Sequence, residues 1–141
     1  MDSRDKFPIA LGTWQLTREI STGERFNGSV ELSWLDNTSM RFEETGQLEL
    51  ADGTQIEGHR NWIWRFKSSG KLEIYYDETP PRLYHSILLK SEDECLKGSA
   101  EHHCANDLYH GQYEISRSQI KTIQTVTGPS KDYQIVSHYS K

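Results

Sequence analysis

Three side chains that carry or can carry charge stand where an apolar residue is expected. Arg60 lies between Gly58 and Trp62, His85 between Leu83 and Ile87, and Arg18 between Leu16 and Ile20. In an extended chain alternate side chains share a face, so all three are expected to point inward with their apolar neighbours. A guanidinium in such an interior must meet a carboxylate, a carbonyl, water or a bound anion, because leaving it unpaired costs roughly several kcal/mol. Flat side chains surround these positions in the same alternation: Trp62, Trp64, Tyr109 and Tyr113. An apolar lining with a few polar anchors is the usual make-up of a small-molecule pocket. The residues therefore point to a small, largely apolar or aromatic ligand bearing an acidic or carbonyl group, with Arg18, Arg60 and His85 orienting its polar end. His102 and Cys104 alternate with Ala100 and are expected to look into the same space, with Asp107 at the turn that follows. Lys131, after Gly128-Pro129, either reaches a ligand at the mouth or pairs in solvent with Asp132 or a neighbouring Glu. Arg18 and Arg60 have a plainer reading too, internal pairing with Glu44 or Asp107.

A second reading of the same residues is catalytic. His102 or His85 could pass a proton if Asp107 held the imidazole tautomer, and Tyr109 could donate to a carbonyl oxygen, which suits a cofactor-free isomerase, cyclase or dehydratase. Cys104 is a poorer nucleophile, since only His102 or His103 stands near enough to favour a thiolate. Whether the protein is an enzyme stays open at this point. His102, His103, Cys104, Asp107 and His110 fall close together in sequence and include the ligand types zinc prefers. Alternation throws His102 and His103 to opposite faces, however, so no metal site is expected.

Composition narrows the partners. The 141 residues carry 16 basic and 21 acidic side chains, a formal net charge of -5, which gives no broad positive surface for phosphates; no nucleic-acid partner is expected. No apolar run approaches the roughly 20 residues of a membrane-spanning helix, and no membrane partner is expected either. With two cysteines and no leader-like start, the thiols are expected to be reduced and the protein cytoplasmic. Both monomer and homodimer remain compatible with the sequence.

These groups need a scaffold that alternates. From residue 54 to 67, Ile56, Gly58, Arg60, Trp62, Trp64 and Phe66 occupy one parity and mostly polar residues the other; Phe26 to Trp34 and Leu72 to Tyr76 repeat the pattern. Turn signals separate the runs at Asp36-Asn37, Gly46, Asp52-Gly53, Ser68-Ser69-Gly70, Pro80-Pro81 and Gly128-Pro129. The spacing predicts about nine or ten strands, starting near residues 11, 25, 39, 54, 71, 82, 97, 108, 119 and 131, in one all-β domain spanning residues 1–141. Closure into an antiparallel barrel removes the edges that so many hairpins would expose, with a β-sandwich as the alternative. Helix has little room: one turn at 91–96 and another within 1–10.

Leu11-Gly12-Thr13-Trp14 followed by Gln15-Leu16 resembles the first-strand Gly-x-Trp signature of calycins. The resemblance implies that Trp14 closes one end of the barrel and that Arg18 packs over it. Gly12-x-Trp14 with Arg18 and Ile20, then Pro81-Arg82-Leu83-Tyr84-His85, His102-x-Cys104-x-x-Asp107-x-Tyr109 with Gly111, and Gly128-Pro129-x-Lys131-Asp132-Tyr133 resemble the spaced signatures of the DUF6314 family, a calycin-like domain of unknown function. The likeness covers nearly the whole chain and implies fold more than activity. The Gly-x-Gly, Pro and late-His pattern of nitrobindin-type haem barrels is missing, and no cofactor is expected.

Overall fold

A computed structural model describes residues 9–67 and 70–141. It contains eleven strands: β1 (Gly12–Ile20), β2 (Arg25–Trp34), β3 (Ser39–Glu49), β4 (Gln55–Phe66), β5 (Lys71–Tyr76), β6 (Arg82–Leu88), β7 (Lys90–Glu92), β8 (Cys95–Cys104), β9 (Asp107–Ile115), β10 (Gln119–Thr127) and β11 (Asp132–Ser140). All pair antiparallel in one sheet of order β6-β5-β4-β3-β2-β1-β11-β10-β9-β8-β7. The sheet is a meander joined head to tail by β1 and β11, an up-and-down barrel with alternating side chains filling its interior.

The expected strand count falls short by one for a local reason. Strands β6 and β7 are one passage of chain broken only at Leu89, which switches its partner from β5 to β8. The segment 91–96, expected as a helical turn, is instead the β7–β8 hairpin: Glu92 pairs with Cys95, and Asp93 and Glu94 both have positive φ (52° and 63°). This is the two-residue turn whose twist suits a hairpin. The turn expected within 1–10 falls largely on residues outside those described, as do Ser68 and Ser69.

Gly46 is not a turn residue. It sits inside β3 in register with Gly28 of β2 and Gly58 of β4, a row of three glycines across adjacent strands. A Cβ on Gly28 would strike the carbonyl oxygen of Thr45, and one on Gly46 that of Asn27. Only glycine permits the backbones to approach so closely there, and the Phe26 ring packs into the space at Gly58.

The two ends of the barrel differ. At one, Ile9, Ala10 and Leu11 cross beneath the strands, and the indole of Trp14, fully buried, donates a hydrogen bond to the Ala10 carbonyl (2.9 Å). Lys141 lies over the Trp14 ring and donates to the carbonyls of Leu11 (2.6 Å) and Ile9 (3.2 Å). Leu16, Leu32, Met40, Phe66, Leu72, Ile87, Ile115 and Ile120 pack this half solid. Towards the other end the interior is hollow. Closure is completed between β6 and β8, which touch without a hydrogen-bond ladder. Gly98 lets them approach: a Cβ there would stand 2.5 Å from Ile87 and 2.6 Å from the Leu88 carbonyl oxygen.

Candidate functional site

The hollow half encloses about 340 Å³, within the range of small-molecule sites. Two different walls line it. Trp62 and Trp64 of β4, Ile74 and Tyr76 of β5 and Tyr84 of β6 form an aromatic wall. Facing it are Arg18 of β1, Ser137 and Tyr139 of β11, Thr122 and Gln124 of β10, and Tyr113 of β9. On the aromatic side Trp62 meets Tyr76 and Tyr84 at centroid distances of 4.9 and 5.1 Å, while Trp64 stacks on Phe42 at 5.2 Å.

Arg60, Arg18, Trp62, Trp64, Tyr109 and Tyr113 all line the cavity, as alternation requires. The two arginines differ in state. Arg18 makes a bidentate pair with Glu44 (2.9 and 2.6 Å), and also donates to the Ser137 hydroxyl (2.8 Å) and the Tyr139 hydroxyl (3.3 Å). Burial alone would lower its pKa, but Tyr139 and the hydrogen-bonded carboxylate of Glu44 reverse that effect and raise it. Arg18 is therefore a neutralised structural pair and lies over Phe26, 5.4 Å from the ring centroid; it does not pack over Trp14, as the calycin likeness implied. Arg60 stands at the rim, exposed, its guanidinium 4.5 Å from the centroid of Trp62. Its cross-strand neighbour Glu44 is engaged by Arg18, and no carboxylate pairs with Arg60 among the described residues.

His85, His102, Cys104 and Lys131 do not line the cavity. His85 is 1% exposed and packed behind it. A bulge explains this placement: Ile74 pairs with His85 and Tyr75 with Leu83, so Tyr84 is an extra residue on β6. Both Tyr84 and His85 consequently turn inward, Tyr84 onto the cavity and His85 beneath it, with ring centroids 3.9 Å apart. Leu83, expected inside, is 41% exposed. The His85 Nε2 faces the Tyr109 carbonyl oxygen (3.2 Å), an acceptor only, so this nitrogen carries the proton; Nδ1 then accepts from the Tyr113 hydroxyl (2.5 Å). Tyr113 in turn accepts from Gln124 (3.0 Å), whose amide oxygen accepts from Tyr84 (3.2 Å). Burial lowers the His85 pKa to about 4 and pushes those of Tyr84 and Tyr113 up. Gly111 makes the room, since a Cβ there would stand 2.6 Å from His85 Cε1.

His102 is half-buried in the β6–β8 gap, against Tyr84 (5.3 Å), Tyr109 (6.0 Å) and Tyr76 (6.4 Å). Cys104, expected to look inward, is exposed at the end of β8, because the strand has run past the rim by that point. Asp107 does not hold a histidine. Its carboxylate pairs with Lys131 (2.9 Å), which also donates to the Tyr109 hydroxyl (2.9 Å), so the β8–β9 and β10–β11 turns are tied together at the mouth. These two bonds, that to Tyr109 first, raise the Lys131 pKa. Lys131 thus pairs with neither Asp132 nor a glutamate, and the acid–base set of His102, His85, Asp107 and Tyr109 is not assembled. His103 and His110 lie on the outer face near Glu101 (3.9 and 3.6 Å). No group of three or more His, Cys, Asp or Glu side chains is arranged so that it could hold a metal ion among the described residues.

Alternation along β10 (Ile120, Thr122, Gln124, Val126) and β11 (Tyr133, Ile135, Ser137, Tyr139) would have indicated the second wall from sequence. Tyr84 could not have been found that way, since a bulge leaves no mark in the pattern.

Fold and cavity together define an antiparallel up-and-down barrel plugged at one end and open to an aromatic-lined cup at the other. The chain belongs to the DUF6314 family, described as a family of unknown function, whose model matches residues 10–141. No curated protein matches the sequence. The fold is similar to that of EF1p2_mFAP2b, solved bound to DFHBI (16% identity, TM-score 0.54, covering 100% of this chain and 99% of that one). It is also similar to a redesigned β-barrel, mFAP0, bound to DFHBI (15% identity, TM-score 0.53, 94% and 99%). A third similar structure comes from the de novo design of a fluorescence-activating β-barrel (17% identity, TM-score 0.52, 100% and 98%). At these identities the likeness is one of fold.

Proposed function

We propose that the barrel binds a small, planar, largely aromatic molecule carrying an acidic or carbonyl group. The observation that carries this reading is the pairing of an aromatic-walled cavity of about 340 Å³ with a rim guanidinium, Arg60, that no carboxylate neutralises among the described residues. Trp62, Tyr76 and Tyr84 offer faces for a flat ring, and Arg60 offers a planar fork to a carboxylate. That two barrels of this fold were solved with DFHBI supports the view that the architecture can house a small molecule. His102 and Lys131 act in this reading through Tyr84 and Tyr109, by fixing the tyrosines that meet the ligand.

Titration with benzoate, cinnamate and naphthoate, followed by tryptophan fluorescence, tests it, because Trp62 and Trp64 line the site. At least one carboxylate should quench saturably, and Arg60→Ala should weaken it by about tenfold, the cost of a charge-assisted hydrogen bond. Absence of a saturable response from every probe, with Arg60→Ala as stable as the parent protein, would reject the reading.

A further inference from the structure

Among the described residues, every buried hydroxyl that lines the cup has a visible partner except one. Thr122 is only 6% exposed and lines the cavity, yet no hydrogen bond reaches its hydroxyl among the described residues. Its cross-strand neighbours are accounted for: Ser137 accepts from Arg18, and Tyr113 bonds to His85 and Gln124. A buried hydroxyl without a partner costs free energy in the empty protein and marks a place where a partner is missing.

The charge around it limits what that partner can be. The nearby guanidinium, Arg18, is already neutralised by Glu44, and His85 is neutral, so the inner end of the cup carries no unbalanced positive charge. The uncompensated cation, Arg60, stands at the rim instead. An anion is stabilised at the mouth and has nothing to balance it at the floor. Resting on the binding reading above, we infer that the ligand is polar at both ends, with its anionic group outward at Arg60 and a neutral hydroxyl or carbonyl inward, hydrogen-bonded to the Thr122 hydroxyl.

Cinnamate and 4-hydroxycinnamate differ only by such an inner hydroxyl and serve as probes, with affinities from titration calorimetry. The parent protein should bind 4-hydroxycinnamate about tenfold more tightly than cinnamate, as a site with an unmet hydrogen-bonding group discriminates. Thr122→Val should bind the two alike, and Thr122→Ser should restore the preference. Thr122→Val should also raise the urea midpoint of the empty protein, because it removes an unsatisfied buried hydroxyl without changing the shape of the site. Equal affinity of the parent for both acids, or a preference that survives in Thr122→Val, overturns the inference. Equal binding that still weakens in Arg60→Ala overturns it while leaving the parent reading in place; binding of neither acid overturns it, and overturns the parent reading as well only when benzoate and naphthoate also fail to bind.

Discussion

Protonating His85 should cost the barrel stability, and the amount follows from where the imidazole sits. Burial lowers its pKa from 6.5 to about 4; the Tyr109 carbonyl acts the other way but is outweighed, and His102 and His110 add to the depression. The native ring is therefore neutral where the same ring in the unfolded chain takes up a proton. Since the folded value is the lower one, the unfolded state binds more protons between 6.5 and about 4, and stability rises with pH across that window. The contribution is complete above 6.5 and is lost as the pH falls to about 4. A depression of this size corresponds to about 3 kcal/mol, a large fraction of the stability of a domain this small. Urea denaturation of the parent protein and of His85→Gln, at pH values on both sides of this window, measures it. The variant lacks the titrating ring, so the carboxylates and the other histidines cancel in the difference between the two stability curves. The parent should lose about 3 kcal/mol more than the variant on acidification. Parallel curves, or an imidazole seen by NMR to titrate near 6.5, would refute the buried neutral ring and the tautomer assigned to it.

Two further substitutions probe the packing around the cup. Gly111→Ala places a methyl group 2.6 Å from His85 Cε1 and should lower the unfolding free energy by about 1–3 kcal/mol, as overpacking does; chemical denaturation reads it, and a neutral result would mean that His85 has space to spare. Arg18→Met strands the Glu44 carboxylate and should cost about 3–5 kcal/mol, whereas the double change Arg18→Met with Glu44→Leu should recover most of that loss; a double variant no more stable than the single would show that the pair is more than a mutually neutralised contact.

Much of the architecture was legible because the barrel obeys one rule, alternation, over long stretches. Arg60, Trp62, Trp64, Tyr109 and Tyr113 reached the cavity on parity alone. The departures share a cause, in that each sits where backbone geometry interrupts the rule. The bulge at Tyr84 places two consecutive residues inside, which hid Tyr84 and put His85 behind the cavity. Gly46 reads as a turn because glycine permits both a reversal and a close approach of neighbouring strands, and only its register with Gly28 and Gly58 tells the two apart. Asp107 and Lys131 meet across two turns far apart in sequence, and spacing along the chain contains no trace of that contact. Parity gives a side chain's direction but not its depth, so Cys104, beyond the rim, and Thr122, at the floor, look alike in the alternation.

The gap between β6 and β8 changes what determines the width of the cup. In a barrel laddered all the way round, strand number and shear fix the girth. Here the circumference is completed by the thickness of the side chains that meet across the gap, Tyr84 against His102 and Ile87 against Gly98. A bulkier or slimmer residue at one of these positions alters the bore while leaving every rung of the sheet in place. The frame can thus be resized for a different occupant by substitution at a few sites, without redrawing its topology.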